Sequence, residues 1–492
     1  MNTYRTCLLI AFLLFALSAA GRRLTIGEGA YPNLEAAAPV ARPGDTIFFP
    51  AGIYEGGQFV ELLQGRPERW IYLLADAAGA VVIRGGNEAW HLTDPAYVRI
   101  EGFIFEQQRH NGVNIDDGGT YETPAHHVII DRCAFRDIQG SGNIDLLKLS
   151  GLDDFTVQQC IFRNNAEGGS GIDMVGCHHG EILESHFENL GSTGIQVKGG
   201  SQHLLIQGNF FRHAGDRACN LGGSTGLPYF RPVDAPFEAA DLQVHSNIFT
   251  GSQAPVAFAG SIRAAVINNT FFLPERWALR ILQETVDPDR FVECGDHTFR
   301  NNIVYVDAQL SRAVNTGPHT RPETFIFSNN LWFHTQLSGW QPELPVEDAD
   351  NVTSQDPLFA APQTNDFHLL PGSAATGRGF PANMPATDFD GRLFTTPRAI
   401  GALESDHSTP LREPDGGAWR FFPIPAREKL QLEGTFTGVH RWEIIDMGGH
   451  AHLAKAISPS AASQIITIDI SSLAPGVYLL KIGKRGKLFV KH

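Results

Sequence analysis

One six-residue pattern, apolar-x-x-(Asn/Cys/Ser/Thr)-x-aromatic, recurs along this chain and limits its fold more than any other feature. It reads Ile130…Cys133-Ala134-Phe135, Val157…Cys160-Ile161-Phe162, Ile182…Ser185-His186-Phe187, Ile206…Asn209-Phe210-Phe211 and Val244…Asn247-Ile248-Phe249. It continues more loosely as Ile267…Thr270-Phe271-Phe272, Phe299…Asn302-Ile303-Val304 and Phe327…Asn330-Leu331-Trp332. The last positions of successive units lie 27, 25, 24, 38, 23, 32 and 28 residues apart. An interval near two dozen residues marks a solenoid, in which each coil buries its apolar face only against its neighbours.

A second strand follows in each coil: Val113-Asn114-Ile115, Leu147-Lys148-Leu149, Ile172-Asp173-Met174, Ile195-Gln196-Val197 and Cys219-Asn220-Leu221. Alternation of period two buries one face and solvates the other. Short parallel strands with no helix-length crossover close a core only by coiling, so the fold expected is all-β, a right-handed parallel β-helix. The 51 Gly, 29 Pro and 33 Phe against 4 Met agree, since such a chain turns often and packs aromatics between turns. A leucine-rich repeat is excluded by the absence of its consensus. The Asn and Cys positions should stack as internal ladders, one per rung and about 4.8 Å apart. Cys133 and Cys160 should then be neighbours on adjacent rungs, a stacked pair of buried thiols within reach of a disulfide.

The ends read differently. Arg5, the apolar run Cys7 to Leu17 and Ser18-Ala19-Ala20 form a secretory signal over residues 1–20. No later run is long enough to span a bilayer, so the mature protein is expected to be free of integral membrane segments. Five cysteines remain after the signal, too few and too odd for a disulfide scaffold. The β-helix should occupy residues 21–404, a polar linker 405–414, and a small β-sandwich 415–492. Residues 405–492 hold 11 Lys/Arg against 8 Asp/Glu, a surplus of +3, so the rest carries −18 of the net −15. That balance excludes non-specific binding to nucleic acid or anionic membranes, and an anionic ligand must meet a local basic patch.

A solenoid offers grooves along stacked strands rather than interior pockets. Register gives one outward column of Asn114, Lys148, Asp173, Gln196 and Asn220, and a second of Asp116, Ser150, Val175, Lys198 and Gly222. Beside them the 38-residue interval hosts a glycine-rich insertion, Gly215 to Gly226, followed by Tyr229-Phe230-Arg231. Insertions on one face of a solenoid are where ligand loops grow. A strand lysine with an arginine one coil on fits β-elimination of a uronic acid: the C5 proton is acidic once the carboxylate is neutralised, and a lysine base removes it. The bland alternative is a solvated face of salt bridges. The pairs His126-His127 and His178-His179 fall at turns without a third ligand at metal spacing, and an inverting hydrolase would need Asp116 and Asp173 correctly separated.

On Lys148 to Arg231 the chain resembles the β-helical polysaccharide lyases of families 6 and 31, alginate lyases and chondroitinase B among them. Gly44 to Tyr54 resembles the first rung of such secreted proteins, and Asp356 to Phe359, Asp366 to Leu369 and Asp388 to Arg392 resemble their closing segment. The resemblance implies a lyase acting on an acidic polysaccharide, with Lys198 as base and Arg217 as carboxylate neutraliser or acid partner. Strict register for that arginine falls on Gly222, five positions beyond Arg217. Lys148, Asn220, Tyr229 and Arg231 would hold substrate, Tyr229 being an alternative proton donor. Family 6 places calcium-binding glutamates before the lysine, but Gly191 to Val197 holds no carboxylate, so no metal or other cofactor is implied. From Arg420 on, Phe422 to Ala426, Ser472 to Tyr478 and Lys487 to Lys491 resemble the C-terminal sorting domain of type IX secretion, found in Bacteroidetes cargo. This implies a secreted or cell-surface, monomeric enzyme whose partners are acidic polysaccharide and the type IX machinery. A non-catalytic carbohydrate-binding β-helix, a C5-epimerase and a hydrolase remain the alternatives.

Overall fold

The computed structural model describes residues 21–405, apart from Glu28, Ala30, Tyr121 and 382–383, and beyond 418 the segments 419–422, 429–434, 436, 440–446, 451–458, 464–474, 476–482 and 485–491. The expected signal at 1–20 and nearly all of the linker lie outside the described residues. Three parallel sheets wind around one core, with ten, twelve and eighteen strands among the described residues. Most coils contribute a strand to each sheet, and several place two short strands in the largest one. The first rung forms where Arg23–Thr25 pairs in parallel with Thr46–Phe49. The short helix Leu34–Ala37, capped by the Asn33 side chain, buries Leu34 and Ala37 over the open end.

Inside, the aromatic position of the repeat becomes a stack. Phe105, Phe135, Phe162, Phe187, Phe211, Phe249 and Phe271 follow one another with ring centroids 4.6–5.0 Å apart. At that spacing each ring contacts the next along the fibre-like axis. The polar position becomes a ladder: Asn209, Asn247, Asn269, Asn302 and Asn330 each donate from Nδ2 to the Oδ1 of the next over 3.0–3.2 Å, as far as Asn330. Their remaining Nδ2 hydrogens go to backbone carbonyls such as Ile182 and Val244, so these buried amides are satisfied. Asn330 then donates to Asp348. Cys133 and Cys160 stand directly before the paired residues Ala134 and Ile161, on adjacent rungs as expected. Both thiols are free and buried, and burial pushes the Cys133 thiol up to about 12.

One repeat unit is out of step with its sequence reading. Val244 pairs with Val266 and Phe249 with Phe271, so the ladder residue is Asn269 and the stacked ring Phe271, one position before Thr270 and Phe272. Phe272 points the other way, into a second cluster with Ile248, Ile303 and Leu331. The closing segment, from Phe359 to Leu403, covers this outer face and supplies Phe359, Phe367, Ala399 and Ile400 to the cluster. With both faces of the sheet buried, apolar alternation no longer distinguishes in from out.

The C-terminal strands form two antiparallel sheets, of three strands (Trp419–Phe422, Lys429–Gly434, Gln464–Asp469) and of four (His440–Asp446, Ala451–Ile457, Gly476–Ile482, Arg485–Lys491). Leu430, Leu432 and Ile468 of the first share one apolar cluster with Ile444, Leu480 and Phe489 of the second. Two sheets joined through their inner faces make a sandwich.

Candidate functional site

The ten-stranded sheet carries the groove. Its outward column is in the register read from sequence: Asn114 pairs with Lys148, Lys148 with Asp173, Asp173 with Gln196 and Gln196 with Asn220. The second column holds Asp116, Ser150, Val175 and Lys198. A cleft of about 550 Å³ opens over these columns, lined on its floor by Asn114, Asp116, Lys148, Ser150 and Lys198 and on one wall by Thr225, Tyr229 and Arg231.

At its centre two lysines share one carboxylate. Lys198 Nζ stands 3.2 Å from Asp173 Oδ1, and Lys148 Nζ is bonded to Oδ2. Asp173 is 1% exposed, so its buried carboxylate depends on the lysines that face it. Burial works against the Lys148 ammonium, but the Asp173 and Asp145 carboxylates outweigh it and raise its pKa. Asp145, beneath them, is pushed up to about 6, by burial first and then by Asp173. It accepts from the Ser170 amide at 2.9 Å, which ties it to the next rung.

The wall is the glycine-rich insertion, fixed from several sides. Buried Glu238 accepts from the Gly199 amide, just after Lys198, and from the amide and hydroxyl of Thr225. Phe230 packs with Ala235, Phe237, Ile262 and Phe291 in a small core of its own. Arg231 forms a two-pronged pair with Asp153 at 2.6 and 2.7 Å and donates to the Gly176 carbonyl. Burial opposes the Asp153 charge, yet Arg231 and His178 hold its pKa down at about 2. Gly176 has φ +62°, and a Cβ there would meet Arg231 Cβ at 2.7 Å, so this turn admits the arginine only as glycine. Tyr229 is 68% exposed, its ring standing free at the rim.

The cleft also holds carboxylates. Asp116 Oδ2 lies 2.6 Å from His91 Nε2, and its Oδ1 accepts from the Gly118 amide. Burial raises the Asp117 pKa. The cleft thus carries both signs of charge, and Asp117 lies near enough to Arg231 for the two charges to favour one another.

Of the six residues picked from sequence, Lys148, Lys198, Tyr229 and Arg231 line this cleft and Arg217 and Asn220 do not. Arg217 begins its strand, pairs in register with Thr193, and binds Glu284 at 2.7 Å and Asn220 Oδ1 at 3.1 Å. Five strand positions separate Thr193 from Lys198, about 16 Å. Asn220 is 3% exposed and turned to Arg217 and the Gly222 carbonyl. A register shift between Gln196 and Val197 also sets Gly222 opposite Val197 rather than Lys198. Sequence reasoning did not assign to the site Asp145, Asp153 or Asn111, which lines the cleft and accepts from the Asp145 amide at 2.9 Å. Asp145 sits two positions before the Leu147 strand and was within reach of the column argument, whereas Asp153 meets Arg231 across 78 residues with no local signal.

Comparison with known proteins bears on these parts separately. Residues 80–271 match the family model of the right handed beta helix region, and residues 420–492 that of the secretion system C-terminal sorting domain. No curated protein matches the chain. Among solved structures it is similar to a pectate lyase, with TM-score 0.50 and 14% identity over 79% of this chain and 97% of that one. It is also similar to a mannuronic acid specific family 6 polysaccharide lyase from human gut microbiota, with TM-score 0.38 and 13% identity over 68% of this chain and 92% of that one. A third is the A-module of a mannuronan C-5 epimerase from Azotobacter vinelandii, with TM-score 0.43 and 13% identity over 64% of this chain and 91% of that one. At such identities the likeness is one of fold. By fold, then, the chain is a right-handed parallel β-helix of the architecture used by polysaccharide lyases, followed by a secretion-system C-terminal sorting domain.

Proposed function

We propose that this protein cleaves an acidic, uronate-containing polysaccharide by β-elimination in the Lys148–Lys198–Arg231 cleft. The observation that carries the reading is the shared carboxylate: two lysines converge on buried Asp173 at the floor of an open groove. Lys148 takes the tighter contact and remains the fixed cation, facing the sugar carboxylate. Lys198, at the longer 3.2 Å contact, is the group that exchanges a proton. In the reaction Lys198, having released its ammonium proton to solvent while Lys148 stays paired with Asp173, takes the C5 proton as a neutral amine, the C5–H electron pair forms the C4=C5 double bond, and the C4–O bond breaks. The departing oxygen receives a proton from the Tyr229 hydroxyl or from water. Arg231 adds positive potential at the wall while Asp153 fixes its orientation. Arg217 has no part in this step, because its guanidinium is occupied by Glu284 at the far end of the strand. The cargo role follows from the C-terminal match: the type IX machinery would deliver the enzyme to the cell surface or the medium.

The test is direct. Purified protein offered alginate, pectate and glycosaminoglycans should raise short-wavelength ultraviolet absorbance as unsaturated uronate forms, and Lys198→Ala should not. Exchange of the C5 proton with solvent without unsaturated product would make the protein an epimerase. Binding with neither would make it a carbohydrate-binding module.

A further inference from the structure

Beyond the cleft, the same sheet carries a second cationic feature. Arg276 lies over the Trp277 ring with its guanidinium carbon 4.1 Å from the centroid, and Arg280 lies over it at 4.5 Å. Trp277 pairs in register with Arg312, and Arg280 continues the column of Gln196, Asn220 and Ala257. Three rungs separate the Lys198 strand from the Arg280 strand, about 14 Å along the axis.

The charges here are handled differently from those in the cleft. Lys148, Lys198 and Arg231 each hold a protein carboxylate. Arg276 and Arg280 form no ion pair among the described residues; burial and the neighbouring Arg217 and Arg276 lower the Arg280 pKa, against the Glu284 and Asp216 carboxylates, which raise it. Arg280 spends only its Nε–H on a side chain, donating to Asn315 Oδ1 at 3.2 Å, which leaves its terminal N–H fork open. Arg276 is exposed. An indole with two arginines over it holds their planes in place by cation–π attraction, so little ordering is lost when an anion arrives. In a chain of net charge −15, two stacked and unpaired guanidiniums are an anion site rather than background.

We infer that Arg276, Trp277 and Arg280 form a distal subsite that binds carboxylate or sulfate groups of an acidic polysaccharide lying along the β-helix axis. The inference rests on the proposed function for the identity of the ligand. It adds that long chains are held at two places: the cleft, where the bond breaks, and the arginine pair, where chain charge is read by forked N–H donors.

The experiment measures binding of long polyuronate and of sulfated glycosaminoglycan to the full-length protein at several salt concentrations, beside turnover. Arg276→Ala/Arg280→Ala should weaken long-chain binding roughly tenfold and flatten its salt dependence, with a smaller effect on short oligosaccharides. Arg276→Lys/Arg280→Lys should recover only part, because ammonium groups lack the fork. Arg263→Ala, which removes the same charge from a guanidinium already paired with Asp241, should leave affinity unchanged. Wild type that cleaves, with a double variant that binds long chains equally well, would overturn the subsite and leave the lyase reading standing. Wild type that binds without cleaving, with a double variant that binds more weakly, would overturn the lyase reading and support the subsite. A wild type that binds neither polyanion would overturn both. Preference for uronate over sulfate, or the reverse, identifies which anionic group the forks accept.

Discussion

Lys198 Nζ and Asp173 Oδ1 lie 3.2 Å apart on neighbouring strands, diagonal to one another across the sheet, and the same carboxylate holds Lys148 through its other oxygen. Removing the carboxylate should therefore damage two partners at once. Asp173→Asn leaves two ammonium groups crowded over a buried amide and should destabilise the protein by about 3 kcal/mol. Adding Lys148→Met should recover much of that loss, since it removes the more tightly held of the two charges. Urea unfolding of the two variants checks this; an Asp173→Asn variant as stable as wild type would mean that the pair carries no structural load.

Turnover should separate the residues that share the cleft from those that do not. Lys198→Ala should lower it by about 10²–10⁴-fold with the fold retained, the usual worth of a general base. Arg217→Ala should lower it by less than about tenfold, because the Glu284 pair is remote from the cleft. Steady-state rates on one polyuronate decide the matter, and equal losses in both variants would contradict the assignment.

How far the sequence reached is visible in single residues. The column Asn114, Lys148, Asp173, Gln196 and Asn220 was legible because period-two alternation fixes which side chains point outward, and the parallel coils keep that register. It failed by one position at Thr270 and Phe272, where the closing segment buries the outer face as well. Arg217 looked like a partner for Lys198 because adjacency in coil number says nothing about position along the strand. The Arg231–Asp153 pair was beyond reach, since it depends on how the 223–238 insertion folds back over the sheet. Local periodicity thus wrote the scaffold, while long-range contacts decided which polar groups meet.

Two buried histidines make acid sensitivity predictable. Burial pushes His245 and His297 down to about 3, and neither ring nitrogen of His245 has a hydrogen-bond partner among the described residues. As pH falls below about 6.5 the unfolded chain takes up protons that the folded protein refuses, so stability drops at about 1.4 kcal/mol per pH unit for each histidine until about pH 3. His245→Leu removes one of these contributions. Between pH 7 and pH 5 its unfolding free energy should gain about 2 kcal/mol relative to wild type, and parallel pH profiles would refute the account.

The amide ladder should be costly to interrupt. Asn269 Oδ1 accepts from both the amide and the side chain of Asn247, and its Nδ2 donates to the Val244 carbonyl and to Asn302. Asn269→Ala strands those groups in a dry interior and should destabilise by about 4 kcal/mol, as several buried donors and acceptors lose partners together. Asn301, the residue before Asn302, donates instead to Asn268 and the Phe380 carbonyl, outside the ladder. Asn301→Ala should consequently cost less than Asn269→Ala, and a reversed order in urea midpoints would show that the ladder is not the stronger restraint.

The C-terminal sandwich should be separable from the groove. Among the described residues its apolar cluster draws on positions from Leu430 to Phe489, and the clusters of the β-helix end at Leu403. Each therefore encloses its own core, which is what independent folding requires. A protein ending at Ser405 should keep its unfolding transition and its turnover to within about twofold, because among the described residues those lining the cleft all precede that point. In a host with type IX secretion the same truncation should abolish delivery to the surface, and residues 420–492 fused to an unrelated exported protein should restore it. A folded truncation that has lost turnover would place the sandwich in the catalytic unit, and surface delivery without it would remove the sorting role.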